Sequence, residues 1–205
     1  MKKIALFLNG EKPENIPALD NYAGVYSVDG AFHYLQALNI KPDLIIGDFD
    51  SIEQLPDDIK CIHTPDQDFT DFEKALKIII SQGYKCVDVF AANGLEQDHF
   101  LGNMSTALKY KKKLNLKFYD DRQSYYFIKK QTVIADVKGK MVSLFPFPKA
   151  KNVSSSGLKY PLNKLNLNMK KNKIGTRNMA IEEKVTIQFN KGNLLLFMAH
   201  DSELV

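Results

Sequence analysis

Long apolar runs, paired cysteines and a glycine-rich phosphate loop are all missing from this chain. No stretch of its 205 residues approaches the roughly 20 apolar residues that a membrane-spanning helix requires. Met1-Lys2-Lys3 followed by Ile4–Leu8 has the beginnings of a secretion signal. The run stops at Asn9-Gly10-Glu11-Lys12, however, and is too short for one, so it reads as a first strand. The two cysteines, Cys61 and Cys86, lack metal-ligand spacing and each sits in an apolar, strand-like segment. They read as reduced core thiols of a cytoplasmic protein. With no Walker loop and no Gly-x-Gly-x-x-Gly, any phosphate has to be held by other means, metal ions foremost. A large excess of one charge sign is also missing: 28 basic against 24 acidic residues leave a formal net charge of +4. Lys111-Lys112-Lys113 and Lys170-Lys171 are short basic clusters of the solvated kind, and no nucleic-acid-binding signature accompanies them.

What remains is an ordinary soluble composition, 44% hydrophobic and 25% charged, in a length that suits one large domain or two small ones. Up to about residue 120, short apolar runs alternate with helical patterns. Strands are expected at Ile4–Leu8, Val25–Val28, Leu44–Ile46, Cys61–His63, Val87–Ala91 and Leu116–Tyr119. Phe72, Ala75, Leu76, Ile79 and Ile80 follow i, i+3, i+4, i+7, i+8 spacing, and a second helix begins near Asp98 with Leu101, Met104 and Leu108 on one face. Strands alternating with helices predict a parallel α/β sheet. From about Tyr125 helical periodicity disappears. Thr132–Ala135 and Met141–Phe145 read as strands. Val185–Phe189 alternates with period two, and Asn190-Lys191-Gly192-Asn193 supplies turn chemistry before Leu194–Met198, which predicts a hairpin. Asn163–Lys173 is rich in Asn and Lys and reads as loop or edge. The expected organisation is an α/β domain over residues 1–122 and an all-β domain over 123–205.

The chemistry collects where strands of the first half should end. Leu44-Ile45-Ile46 stops at Gly47 and is followed by Asp48, Phe49, Asp50 and Ser51. Two carboxylates one residue apart at a strand end repel unless a cation joins them, and oxygen-only ligands suit Mg²⁺ better than zinc. Asp29 follows Val25–Val28, Asp66 and Asp68 follow Cys61–His63, and Asp98 follows Val87–Ala91. In open α/β sheets ligands bind outside the carboxyl ends of the strands, so four connections delivering Asp to that edge predict a shared metal or phosphate site. Thr70 and Glu73 fit a capping box, which places Asp71 in the first turn of the helix that follows, where unpaired N–H groups also suit a phosphate.

Four segments then carry a resemblance: Asp29-Gly30-Ala31, Pro42–Ser51 with its Gly-Asp-Phe-Asp-Ser turn, Thr64–Asp71, and Gly94–Asn103 with Asp98-His99. In this order they resemble the thiamine pyrophosphokinase family, with weaker echoes at Ser143–Pro146, Gly157–Leu162 and Gly175-Thr176-Arg177-Asn178. The resemblance implies transfer of the pyrophosphoryl group of ATP to the hydroxyl of thiamine, giving thiamine diphosphate and AMP, with Mg²⁺ as cofactor. It implies a Rossmann-like parallel α/β domain followed by a β-sandwich, in a homodimer where thiamine lies between the α/β domain of one subunit and the β domain of the other. By this resemblance Asp48, Asp50, Asp71 and Asp98 are the catalytic cluster, the first three holding metal. One of Asp71 and Asp98 accepts or orients the thiamine hydroxyl proton. Asp29, Gly30, Ser51, Asp68, Thr70, His99 and Asn103 serve the nucleotide, and Gln67, Thr176, Arg177 and Asn178 serve thiamine.

Two positions depart from the family pattern. Glu96 stands where an Arg is common, and Arg177 stands where Ser precedes Asn. Glu repels phosphate and cannot inherit the arginine's role, whereas Arg177 suits a phosphate better than a thiazolium and is expected to offset some of the lost charge. Two rival readings stand beside this one. One is another Mg²⁺-dependent phosphotransferase or phosphohydrolase acting on a different small alcohol or nucleotide. The other is a binding module without turnover, for which so many acids around an anionic ligand would be of little use.

Overall fold

Short apolar segments build the first half of the chain, and the computed structural model describes residues 2–50, 52 and 54–200. Six strands form its sheet: β1 (Lys3–Phe7), β2 (Gly24–Val28), β3 (Leu44–Gly47), β4 (Lys60–His63), β5 (Cys86–Phe90) and β6 (Asn115–Tyr119). Every pairing is parallel, in the order β4-β3-β2-β1-β5-β6. β2 and β3 are buried at every position, as strands covered on both faces must be. One face receives α1 (Ala31–Ala37), whose Ala31 and Leu35 pack with Ala5, Phe7, Val25 and Phe90. On the other lies α2 (Asp71–Ser81), where Phe72 meets Phe118 edge-on at 6.0 Å. The expected strands are all present, with β4 only partly buried at the sheet edge. Of the expected α2 stripe, Phe72, Ala75, Leu76 and Ile79 are buried while Ile80 is half-buried.

In the packing of this half, the third helix and the two cysteines differ from the sequence-based expectation. In α3 (Gln97–Tyr110) the buried stripe is Met104, Thr106, Ala107 and Tyr110, while Leu101 is 58% exposed. The first turn of this helix contains no buried residue, so periodicity alone misplaced the start of its packed face. Cys61 in β4 and Cys86 in β5 form no disulfide and are only half-buried, because Cys61 lies on an edge strand and Cys86 at the first position of its strand.

The chain divides into two compact units, Met1–Asp121 and Arg122–Val205. The second contains β7 (Gln123–Phe127), β8 (Gln131–Ala135), β9 (Met141–Ser156), β10 (Leu165–Asn168), a 3₁₀ turn (Met169–Lys171), β11 (Gly175–Met179), β12 (Lys184–Gln188) and β13 (Lys191–Ala199). All its pairings are antiparallel: β13 lies between β7 and β9, β12 between β8 and β9, and β10 and β11 pair β9. The long β9 serves both sheets, through Val142–Lys151 against β13 and Ser154–Ser156 against β12. Alternate residues of the two sheets, among them Val142, Leu144, Val185, Ile187, Leu194 and Leu196, meet in one core. The expected β12–β13 hairpin does not form. These consecutive strands each pair with β9 but not with each other, and Gly192 lies inside β13 beside a register shift instead of in a turn. β9 also continues to Ser156, well past Phe145, where the apolar run ends.

Candidate active site

Parallel pairing puts the carboxyl ends of β1 to β5 along one edge, and a cleft of about 760 Å³ opens there. Its walls come from the ends of β1 (Leu8, Asn9, Gly10), β2 (Val28, Asp29) and β5 (Ala91–Glu96), together with Gln67–Phe72 and Lys74 of the α2 start and Asp98, His99, Gly102 and Asn103 of α3. β1 is flanked by β2 on one side and β5 on the other, so the chain reverses its direction of winding at the cleft. This is where open α/β sheets place ligands.

The start of α2 is built by Thr70, whose Oγ1 accepts from the Glu73 backbone N–H at 3.2 Å. Only this half of the expected capping box is made. The Glu73 carboxylate instead reaches α3, where it accepts from Lys109 Nζ at 2.6 Å and from the Tyr110 hydroxyl at 3.0 Å. Burial pushes the Glu73 carboxyl up, but those two hydrogen bonds and the charges of Lys109 and Lys77 outweigh it and hold the group below its ordinary range. These contacts, from a buried Glu73 to the exposed Lys109 ammonium and the buried Tyr110 hydroxyl, tie together the two helices that wall the cleft. Asp71, in the first turn, accepts from Lys74 Nζ at 2.9 Å. Lys74 itself is 6% exposed and also donates to the Thr64 carbonyl at 2.8 Å.

Asp29 has a left-handed backbone (φ 43°), and its Oδ1 is buried without a hydrogen-bond partner among the described residues. Gly30 does not line the cleft. It allows a close approach by Asn9, whose Nδ2 lies 2.6 Å from where a β-carbon at position 30 would stand. Asp48 and Asp50 sit just outside the lining and connect to it through Gln67, whose Nε2 donates to Asp48 Oδ2 at 3.2 Å. The Asp50 N–H donates to Asp48 Oδ1 at 3.3 Å. The Gln67 amide, then the Asp50 N–H and the charge of Lys74, keep the Asp48 carboxyl below its usual value. Ser51 lies outside the described residues.

On the opposite wall, Glu96, Asp98 and His99 bring their ligand atoms within 4.8 Å of one another, and His99 Nε2 stands 3.2 Å from Glu96 Oε2. This exposed trio is the one such group among the described residues; Asp48, Asp50 and Asp71 do not come so close together. Asn103 lines the cleft but spends its Nδ2 on the Ala92 carbonyl at 3.0 Å, so it also braces the β5–α3 turn. Asp68, Thr70, Asp71, Asp98 and Gln67 all face the cavity.

In the second unit, Thr176 and Arg177 are exposed on β11, and Arg177 adopts φ 55° with its N–H bonded to Ser143 Oγ at 2.9 Å. Asn178 is 8% exposed and faces inward. Its Oδ1 accepts from the Tyr160 and Met179 N–H groups, and its Nδ2 donates to the Tyr160 carbonyl at 2.7 Å. Its polar atoms are engaged in holding the Tyr160 segment to β11.

The sequence-derived set omitted Lys74, Asn9 and Asn93. A signal for Lys74 existed, since it stands three residues after Asp71 and next to Ala75 on the buried face of α2. A lysine on an apolar helix face is usually read as a side chain that reaches past the core into water.

Comparison with known proteins completes the assignment. The thiamin pyrophosphokinase catalytic domain matches residues 18–119, and the thiamin pyrophosphokinase vitamin B1 binding domain matches residues 128–194. The chain is 26% identical to the thiamine pyrophosphokinase of Bacillus subtilis (strain 168), covering 98% of this chain and all of that protein. It is 27% identical to thiamin pyrophosphokinase 1 of Caenorhabditis elegans over 80% of this chain and 76% of that one. The crystal structure of the Bacillus subtilis enzyme superposes with a TM-score of 0.84 at 25% identity, over 98% of this chain and 100% of that one. The Geobacillus thermodenitrificans structure, at 24% identity, shares the fold with a TM-score of 0.83 over 99% and 100% of the two chains. With both halves matched in order, and the acids of the first collected around one cleft, this chain belongs to the thiamin pyrophosphokinase family.

Proposed function

We infer that this chain transfers the pyrophosphoryl group of ATP to the hydroxyethyl oxygen of thiamine. The observation that carries this reading is the convergence of Asp29, Asp68, Asp71 and Asp98, from the three connections that follow β2, β4 and β5, on one cleft at the carboxyl edge of a parallel sheet. The thiamine oxygen attacks the β-phosphorus, the bond from that phosphorus to the α,β-bridging oxygen breaks, and AMP leaves with the electron pair. Asp71 or Asp98 takes the hydroxyl proton or orients the attacking oxygen, and Asp29 places the nucleotide. Thr70 and Asp68 line the junction with the phosphates, Gln67 meets thiamine while holding Asp48, and His99 borders the nucleotide.

The donor set fits Mg²⁺. Its members offer only carboxylate oxygens, the hard ligands this ion prefers, and beside them Asp29 Oδ1 is a further carboxylate oxygen, buried and without a hydrogen-bond partner among the described residues. Asp48, Asp50 and Asp71 are the residues proposed to hold it, and the bound ion would neutralise triphosphate charge. The proposed architecture is a Rossmann-like catalytic domain followed by a thiamine-binding β-sandwich. Thr176 and Arg177 would meet thiamine from a second copy of the chain, while Asn178 supports them from beneath.

Incubation with ATP, Mg²⁺ and thiamine tests this reading. AMP and thiamine diphosphate are expected in equal amounts, and only when thiamine is present. Orthophosphate released without thiamine would instead indicate a phosphohydrolase. Asp50→Asn is expected to abolish Mg²⁺-dependent turnover with an unchanged circular dichroism spectrum; full activity in that variant would remove Asp50 from the site.

A further inference from the structure

Acids outnumber bases sharply around the cleft. Asp29, Asp68, Asp71, Glu96 and Asp98 line it, and Lys74 is the one lysine or arginine among the lining residues. A lysine ammonium carries three N–H donors. Two of them are fixed here, on Thr64 O at 2.8 Å and Asp71 Oδ1 at 2.9 Å, and the third has no acceptor recorded among the described residues. The side chain is only 7% exposed, so its four-carbon stem is packed and the charge is held at one place at the start of α2. Burying an ammonium is costly unless its remaining proton also finds an acceptor, and an anionic ligand in the cleft would supply one. The first turn of an α-helix leaves backbone N–H groups without intrahelical partners, the other feature that phosphate needs; in α2 Thr70 caps one of them, that of Glu73.

We propose that Lys74 is the cleft's own phosphate-contacting cation: anchored to Thr64 O and Asp71, it directs its remaining N–H at the triphosphate. This extends the proposed function, since it takes the triphosphate to lie in this cleft. The anchoring has a second consequence. Because Asp71 is held by the same ammonium, the carboxylate and the phosphate-binding charge are positioned as one unit, and the lysine does not need metal to be in place.

The test uses the full-length protein and inorganic triphosphate in EDTA, so that no metal contributes. Asp71→Asn removes one negative charge and keeps Lys74, whereas Asp71→Asn/Lys74→Met removes both partners of the pair and avoids leaving a buried charge unpaired. By calorimetry, Asp71→Asn is expected to bind triphosphate at least as tightly as the wild type. The double variant is expected to bind about ten- to a hundredfold more weakly, the range for loss of one charge-assisted hydrogen bond. Equal affinity of the two variants would overturn the role of Lys74. Absence of binding by wild type and Asp71→Asn alike, while the wild type still turns over ATP, would place the triphosphate elsewhere and overturn the proposal together with the cleft assignment. Lys74→Arg adds a kinetic readout: it keeps the charge and is expected to retain more kcat than Lys74→Gln at unchanged thiamine KM. Parity between those two variants would likewise count against a phosphate contact.

Discussion

Individual side chains in this protein are read correctly only when their partners are known. Glu73 looked like the second half of a capping box, yet its carboxylate is buried between Lys109 and Tyr110 of the neighbouring helix. Because its pKa is lowered in the folded state, its contribution to stability is complete above the ordinary glutamate value of 4.5 and is lost as pH falls through the lowered value. Glu73→Gln is therefore expected to lower the melting temperature near neutral pH and to flatten its decline in acid, as seen by thermal scans between pH 7 and pH 3. An unchanged acid slope would show that Glu73 is not part of that limb. Asn178 illustrates the same point: in sequence it belongs to a ligand-facing motif, but its amide is used up by the Tyr160 backbone.

At the level of elements, α2 was legible because three independent signals agree: Thr70 as cap, acids in the first turn and a 3.6-residue apolar period. β12 and β13 were legible as strands but not as partners. Turn-type residues at Asn190–Asn193 are compatible with a hairpin, but strand pairing is decided by which faces must be buried, and β9 is long enough to take both strands. The glycine inside β13 serves close packing: at φ 92°, a β-carbon on Gly192 would lie 1.9 Å from the Lys149 carbonyl oxygen. Gly83, just beyond α2, has φ 85° but nothing within 4 Å. Gly83→Ala is expected to cost about 1 kcal/mol from backbone strain alone. Gly192→Ala should cost clearly more, because backbone must also move. Urea unfolding of the two variants checks this, and equal losses would mean that β9 yields easily at Lys149.

Taken as a whole, the molecule has two units with separate cores, and Thr176 and Arg177 are exposed on the second. A homodimer that supplies them to another copy's cleft predicts a light-scattering mass twice the 23.3 kDa of the chain, and a monomer that retains full activity would refute that arrangement. The sequence by itself determined the parallel α/β unit, its strand positions and the acidic connections. Those features rest on local signals, namely period, caps and breakers, which act within a dozen residues. Only the tertiary structure decided that β12 and β13 part company, that Leu101 stays in solvent, and that Asn178 turns inward. It alone brought Lys74 between Thr64 and Asp71, where one buried cation faces five acids. The physical reason is common to all four: each depends on long-range burial and on the hydrogen-bond partners it leaves available, neither of which is encoded by neighbours in the chain.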